Sequence, residues 1–266
     1  MRFCLIAFAI GLAASSPAAD APPRVSPEPT PVLVELFTSE GCSSCPPADR
    51  LLESLAREQP LPGVEILVIG EHVDYWDSHG WKDPFSDPAF TKRQRWYSMH
   101  WPLRVYTPQA VIDGVSERLG SNREKLLKAV ARAAKRPKAE IALQAEATPQ
   151  GKVRLSVEIR NLTRTGTSTA DVYAAIVADG VESDVASGEN RGRKLRHWAA
   201  ARRLTLLGKA RSKKDLAEIT GEIEAIPANV QGNSRLIVFA QSKKNRRIVA
   251  AVTAPYPRAG IARSLE

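Results

Sequence analysis

The stretch Phe37–Leu52, FTSEGCSSCPPADRLL, decides how this chain is read. It sets Cys42 and Cys45 two residues apart, follows them with two prolines, and runs on into an apolar-periodic segment. Upstream, Val32–Phe37 (VLVELF) is a short apolar run suited to a buried strand. Downstream, Pro46–Glu58 reads as a helix. Its prolines fall in the first turn, where a missing N–H is tolerated, and Leu51, Leu52 and Leu55 form one apolar stripe. Cys42 thus stands between the carboxyl end of a strand and the start of a helix. The partial positive charge and free N–H groups there favour a thiolate over a thiol, so Cys42 is expected to have a lowered pKa. Cys45, one helical turn on, is placed to attack a mixed disulfide formed at Cys42 and release it.

Two other readings of the pair stay open. As a structural staple it closes a loop of only a few residues, for which loop entropy supplies about 2 kcal/mol against roughly 4–5 kcal/mol for a long loop. As a clamp for copper or another soft metal it needs further ligands. The chain has no second CxxC, so His72, His79 or His100 would have to assist.

The pattern continues as strands and helices in alternation. Val64–Ile69 is a second buried strand, which makes a right-handed parallel βαβ unit with the first. Ser86–Met99 reads as a helix capped by Asp87 with Pro88 in its first turn. Gln109–Ile112 and Val115–Arg118 flank Asp113-Gly114, a hairpin signal. Ser121 and Glu124 have capping-box spacing at the head of another helix. The order is β-α-β-α-β-β-α over residues 32–137. Beyond Arg136-Pro137 helical periodicity mostly stops. Strand-like runs recur between turn residues at Glu140–Ala145, Val153–Ile159, Val172–Ala178, Glu218–Ile226, Leu236–Gln241 and Ile248–Thr253. This predicts an all-β sandwich-like domain over 138–257, with 258–266 as a tail.

The first residues, MRFCLIAFAIGLAASSPAAD, carry Arg2, an apolar run from Phe3 to Ala14 and small residues through Ala19. They read as a signal peptide over 1–19, too short to span a bilayer, followed by a Pro-rich leader over 20–31. Cys4 would leave with the signal, and a periplasmic or secreted location is expected. No later segment approaches eighteen consecutive apolar residues, so no transmembrane segment is expected in the mature chain. The net charge of +9 gathers in late clusters such as Arg191–His197 (RGRKLRH) and Lys243–Arg247 (KKNRR). Export argues against nucleic acid as partner, and these clusters read as a solvated basic face. Asn161-Leu162-Thr163 fits a glycosylation triplet by chance.

Tyr106–Gly114 (YTPQAVIDG) sets Thr107-Pro108 directly before a strand. A proline there cannot belong to the strand interior. A cis bond before it would hold Thr107 in a tight turn facing the dithiol. CxxC at the head of the first helix, Thr-Pro before the third strand and the element order together resemble the thioredoxin superfamily. More closely, ELFTSEGCSSCPPAD, HVDYWDSHGWKDPF, YTPQAVIDG and GENRGRKLRHW (Gly188–Trp198) resemble a family of secreted bacterial proteins with a domain-of-unknown-function label and a thioredoxin-like fold. The thioredoxin pattern implies Cys42 as the attacking cysteine, Cys45 as the resolving one, and Thr107 and Pro108 as the substrate-positioning pair. It implies protein or peptide thiols and disulfides as substrates, a recycling redox partner, and no cofactor beyond the disulfide itself. The Ser-Ser dipeptide and the following prolines depart from thioredoxin.

Nine of the sixteen aromatic residues lie between Tyr75 and Tyr106, starting where the second strand ends. They suit either a recognition surface or a packed cap. His72 and Asp74 end the same strand and are candidates for a proton relay. Glu40, just before Gly41-Cys42, is expected to oppose thiolate formation.

Overall fold

The structure is a computed structural model that describes residues 28–99, 104–227 and 233–257. The expected signal peptide, most of the leader, His100, Trp101 and the tail lie outside the described residues.

Strand β1 (Thr30–Thr38) begins inside the expected leader and is followed by α1 (Pro46–Glu58) and β2 (Val64–His72). β1 and β2 pair in parallel over their whole length, from Thr30↔Val64 to Thr38↔His72. Residues 74–79 form a 3-10 turn, and α2 (Pro88–Ser98) starts at Asp87, whose carboxylate accepts the Ala89 N–H at 2.7 Å. β3 (Gln109–Ile112) and β4 (Ser116–Leu119) make the Asp-Gly hairpin, with positive φ at both Asp113 and Gly114. α3 (Arg123–Ala134) is capped by Asn122, which accepts the Lys125 N–H at 2.9 Å, one residue later than the capping box had placed it.

Residue 137 does not separate two sheets. After β5 (Glu140–Ala147) and β6 (Lys152–Arg160) come β7 (Thr169–Ala178), β8 (Val181–Asp184), β9 (Lys194–His197), β10 (Ala200–Arg211), β11 (Leu216–Glu224), β12 (Ser234–Ser242) and β13 (Ile248–Pro255). Four of these extend the N-terminal sheet into eight strands ordered β13-β12-β7-β10-β2-β1-β3-β4. The β11-β6-β5 sheet packs separately, burying Val153, Leu155, Val157 and Ile159 against Val172, Ile176, Leu236 and Val238. The molecule is therefore mixed α/β on one large mixed sheet. The strand runs read after residue 137 are present, but they do not form a self-contained sandwich. β8, β9 and β10 are not expected from the sequence, and β9 lies inside a stretch that reads as a basic surface.

The join between the halves is narrow. β10 meets β2 only at Ala200↔Gly70, with one further bond from the Gly70 N–H to the Ala199 carbonyl (2.9 Å). Asp113 completes the connection through both its side chain and its backbone. Asp113 accepts the Leu33 N–H at 3.0 Å, pairs with Lys138 at 2.7 Å, and its carbonyl accepts the Ile248 N–H at 2.9 Å. The start of β13 thus lies against the β3–β4 turn, and the two ends of the large sheet meet. Gly114 is required here, because a Cβ would collide with the Arg246 carbonyl.

Inside the curl sits Arg93 of α2. Its Nε binds Glu35 and lies 3.7 Å from Glu71, and its Nη2 donates to Tyr97 at 2.9 Å. The guanidinium faces the rings of Tyr97, Tyr173 and Phe239, each centroid 5.1 Å away. Burial, and then the Glu35 charge, push the Glu71 carboxyl well above the usual carboxylate range, which favours its neutral form.

Replacing Arg93 with Leu strands a buried carboxylate, and urea unfolding is expected to register a loss of about 3–5 kcal/mol. Glu71→Gln has the opposite use. The folded wild type holds a proton that the unfolded chain releases above the ordinary carboxylate range, so wild-type stability falls as pH rises from there. The glutamine variant lacks that slope, and its advantage in urea midpoint is expected to widen between about pH 5 and about pH 8. Equal midpoints across that range would rule out a neutral Glu71.

Candidate functional site

The CxxC loop leaves β1 at Thr38 and turns tightly. The Cys42 N–H donates to the Ser39 carbonyl (3.2 Å) and the Cys45 N–H to the Cys42 carbonyl (3.1 Å). Cys45 is the N-cap of α1, and Pro46-Pro47 occupy the first turn. Cys42 and Cys45 are joined as a disulfide, with Cα atoms 5.4 Å apart. The lowered pKa expected of Cys42 belongs to the reduced pair. Both cysteines are buried, Cys42 at 1% and Cys45 at 0% exposure, while Ser43 and Ser44 between them face solvent.

The Thr107–Pro108 bond is cis, and this turn lies beside the head of α1. Gly120 fixes that proximity. A Cβ there would stand 2.5 Å from Leu36 of β1, 3.1 Å from Ala48 of α1 and 3.2 Å from Pro108. Trp76 bridges the two loops: its indole N–H donates to Thr107 Oγ1 at 2.8 Å, and a Cβ at Gly41 would meet the Trp76 Cβ at 3.2 Å. One aromatic from the expected cap therefore spans the gap between the dithiol loop and the proline turn.

Behind the loop is a buried set of carboxylates and imidazoles. Glu40 accepts the Trp81 indole N–H at 2.8 Å and His197 Nε2–H at 2.9 Å, and it also accepts Ser183 Oγ–H. The Glu40 backbone N–H donates to Asp83 at 2.8 Å, and Asp83 pairs with His72 Nδ1 at 2.7 Å. Burial would raise the Asp83 carboxyl, but the His72 charge and hydrogen bond, with the N–H groups of Glu40 and Phe85, bring it down to about 2. Burial lowers His72 in turn, but the Asp83 charge and hydrogen bond, with the charges of Asp49 and Glu40, together outweigh it, so His72 is raised. His72 meets His197 edge to face at 4.6 Å between centroids.

Asp49 lies one turn beyond Cys45, with its N–H on the Cys45 carbonyl at 3.1 Å. Its carboxylate accepts Thr38 Oγ1–H at 2.8 Å, and its other oxygen is 3.8 Å from His197 Nδ1, which has no hydrogen-bond partner. Burial raises the Asp49 pKa, only partly offset by His197, His72 and Thr38. An acid that keeps its proton above the ordinary range thus stands one turn along α1 from Cys45.

Of the residues singled out from the sequence, Cys42, Cys45, Thr107 and Pro108 gather around Trp76, and His72 joins the cluster behind. Asp74 does not: its backbone N–H donates to Thr91 of α2 at 3.1 Å and its carboxylate accepts the Thr91 hydroxyl. Sequence reading missed Asp49, Asp83, Asn190 and His197. Asn190 and His197 belong to GENRGRKLRHW, whose basic residues suggest only a solvated face, and Asp49 carries a signal in standing four residues after Cys45. Among the described residues, no group of three or more His, Cys, Asp or Glu side chains is arranged to hold a metal ion, and no helix is long and apolar enough to cross a membrane.

Glu40→Ala leaves three donors from separate elements without their acceptor. With about 1–3 kcal/mol for each buried group left unpaired, thermal unfolding is expected to show a large drop in Tm, with Trp81 fluorescence shifted to the red. Preserved Tm and emission would mean that the carboxylate holds nothing.

Residues 33–241 match a family described as a protein of unknown function (DUF1223). Among solved structures, the chain is similar to protein AGR_C_4864 from Agrobacterium tumefaciens, with a TM-score of 0.65, 24% identity, and coverage of 91% of this chain and 99% of that one. It is also similar to HBP35 of Porphyromonas gingivalis, with a TM-score of 0.65, 14% identity, and coverage of 90% and 80% respectively. At such identities the likeness concerns the fold alone. No curated protein matches the sequence.

Proposed function

This chain belongs to the DUF1223 family of proteins of unknown function, and we propose that its Cys42–Cys45 pair performs thiol–disulfide exchange on protein or peptide substrates after export to the periplasm or the exterior. One observation carries the reading: the pair stands at the head of α1 beside the Thr107–Pro108 turn, with Trp76 bridging the two loops. The β2-β1-β3-β4 order, with β3 antiparallel to β1, supports taking residues 32–137 as a thioredoxin-like unit. Residues 138–257 are then a β-rich unit built onto the same sheet.

In the exchange, the Cys42 thiolate attacks one sulfur of a substrate disulfide. That bond breaks, and the departing substrate thiolate takes a proton. The Cys45 thiolate then attacks the Cys42 sulfur, the second substrate thiolate leaves, and the Cys42–Cys45 disulfide remains. Two electrons pass to the substrate, and the same steps reversed oxidise a substrate dithiol. A second redox partner restores the pair, and no further cofactor is needed. Thr107 and Pro108 align the substrate chain.

Asp49, next to Cys45 along α1, is the group we assign to the Cys45 proton, with His197 as its neighbour. His72 acts through Asp83 and its ring contact with His197. Asp74, held at α2, takes no part in this scheme.

With Cys45 replaced by Ser, the exported fraction is expected to accumulate mixed disulfides on Cys42, visible as adducts that collapse on reduction. Absence of adducts, together with a reduction potential below about −300 mV, marks an inert staple and overturns the proposal.

A further inference from the structure

GENRGRKLRHW (Gly188–Trp198) runs from the β8–β9 connection through β9. That connection, residues 185–193, braces itself. The Val185 N–H donates to the Arg193 carbonyl at 2.9 Å, the Gly192 N–H to the Val185 carbonyl at 2.8 Å, and Arg193 Nη1 to Asn190 Oδ1 at 2.7 Å. Gly188, at φ +76°, fits where a Cβ would stand 3.1 Å from that of Trp81.

Two of its side chains reach the CxxC loop, and they differ in kind. Asn190 is 1% exposed, and its Nδ2 donates to the carbonyls of Glu40 (2.7 Å) and Cys42 (3.0 Å). Neighbouring Glu189 faces solvent and accepts the Ser43 N–H at 2.8 Å. The first contact is sheltered from competition. The second is a charged hydrogen bond in water, which is easily exchanged for another acceptor. Meanwhile Cys42, whose sulfur must be reached for exchange, is buried, with 1% of the residue exposed.

Resting on the exchange reading above, we propose that residues 185–193 form a gate on the dithiol. Asn190 is the positioning residue that holds the Cys42 carbonyl, and Glu189 is the latch. Small thiols meet a closed loop. A polypeptide partner that offers a backbone carbonyl or a carboxylate to the Ser43 N–H displaces Glu189 and frees the sulfurs. The gate therefore selects extended chains bearing an acceptor near their own cysteine.

The test uses the full chain and dithiothreitol, which gives two electrons and closes to its cyclic disulfide while Cys42 and Cys45 become thiols. Alkylation of the freed thiols times the reaction, and amide hydrogen exchange reports on residues 39–46. For Glu189→Ala, reduction is expected to be about fivefold faster, the scale of one exposed charged hydrogen bond. Exchange at Ser43 should quicken without a matching fall in Tm. Glu189→Gln keeps an acceptor and should fall between, and Asn190→Asp, which loses both donated bonds, should be faster than wild type. A Glu189→Ala rate within about twofold of wild type overturns the gate, as does a faster rate accompanied by an equal loss of global stability. The exchange reading fails separately: Cys45→Ser then captures no partner, whatever Glu189→Ala does to the dithiothreitol rate.

Discussion

A carboxylate taken out of water must be partnered, and for Glu40 the partners come from three places. Trp81 reaches it from the aromatic segment after β2, Ser183 from β8 and His197 from β9. Its own backbone adds Asp83 through the N–H and Asn190 through the carbonyl. These partners belong to two separate parts of the chain, the segment after β2 and the β8–β9 hairpin, both far from Glu40 in sequence. Together they fix the position of Cys42, two residues on. The β8–β9 hairpin is a two-stranded sheet outside the large one, and the hydrogen bonds at Glu40 and the CxxC loop are what make it part of the site.

Arg93 does for the sheet what Glu40 does for the loop. It answers Glu35 on β1 and Glu71 on β2, and it lies against Tyr173 on β7 and Phe239 on β12, which stack on each other at 5.3 Å. Two carboxyl groups with one cation cannot both be ionised cheaply in such a place, and the raised Glu71 resolves the conflict by staying protonated. Buried charge of this kind is a weak source of stability compared with apolar packing, but removing one member is costly.

The sequence made the N-terminal half legible because its signals are local. Prolines after Cys45, Asp87 before Pro88, and Asp113-Gly114 each determine a cap or turn within a few residues, and the observed elements start and stop close to them. The C-terminal half was legible as strands but not as a sheet, since which strand pairs with which depends on partners far away in sequence. β9 shows why a whole element was missed. Lys194, Arg196 and their neighbours suggested a solvated cluster, yet Leu195 and His197 alternate with them and are buried. At the site, the cysteines and the Thr-Pro pair announced themselves by type and spacing. Asp83, Asn190 and His197 did not, because a lone Asp, Asn or His acquires meaning only from what folding sets beside it.

The join between β2 and β10 has a consequence of its own. A continuous ladder transmits force and order through the backbone, whatever the side chains do. Here only a short bridge at Gly70 and Ala199–Ala200, and one bond from Ile248 to the Asp113 carbonyl, carry the backbone across, so much of the coupling of one half to the other falls to side chains such as Arg93 and Asp113. Side chains respond to protons, redox state and ligands, whereas amide ladders hardly do. The crossing point is thus where chemical change in one half is best able to be felt in the other.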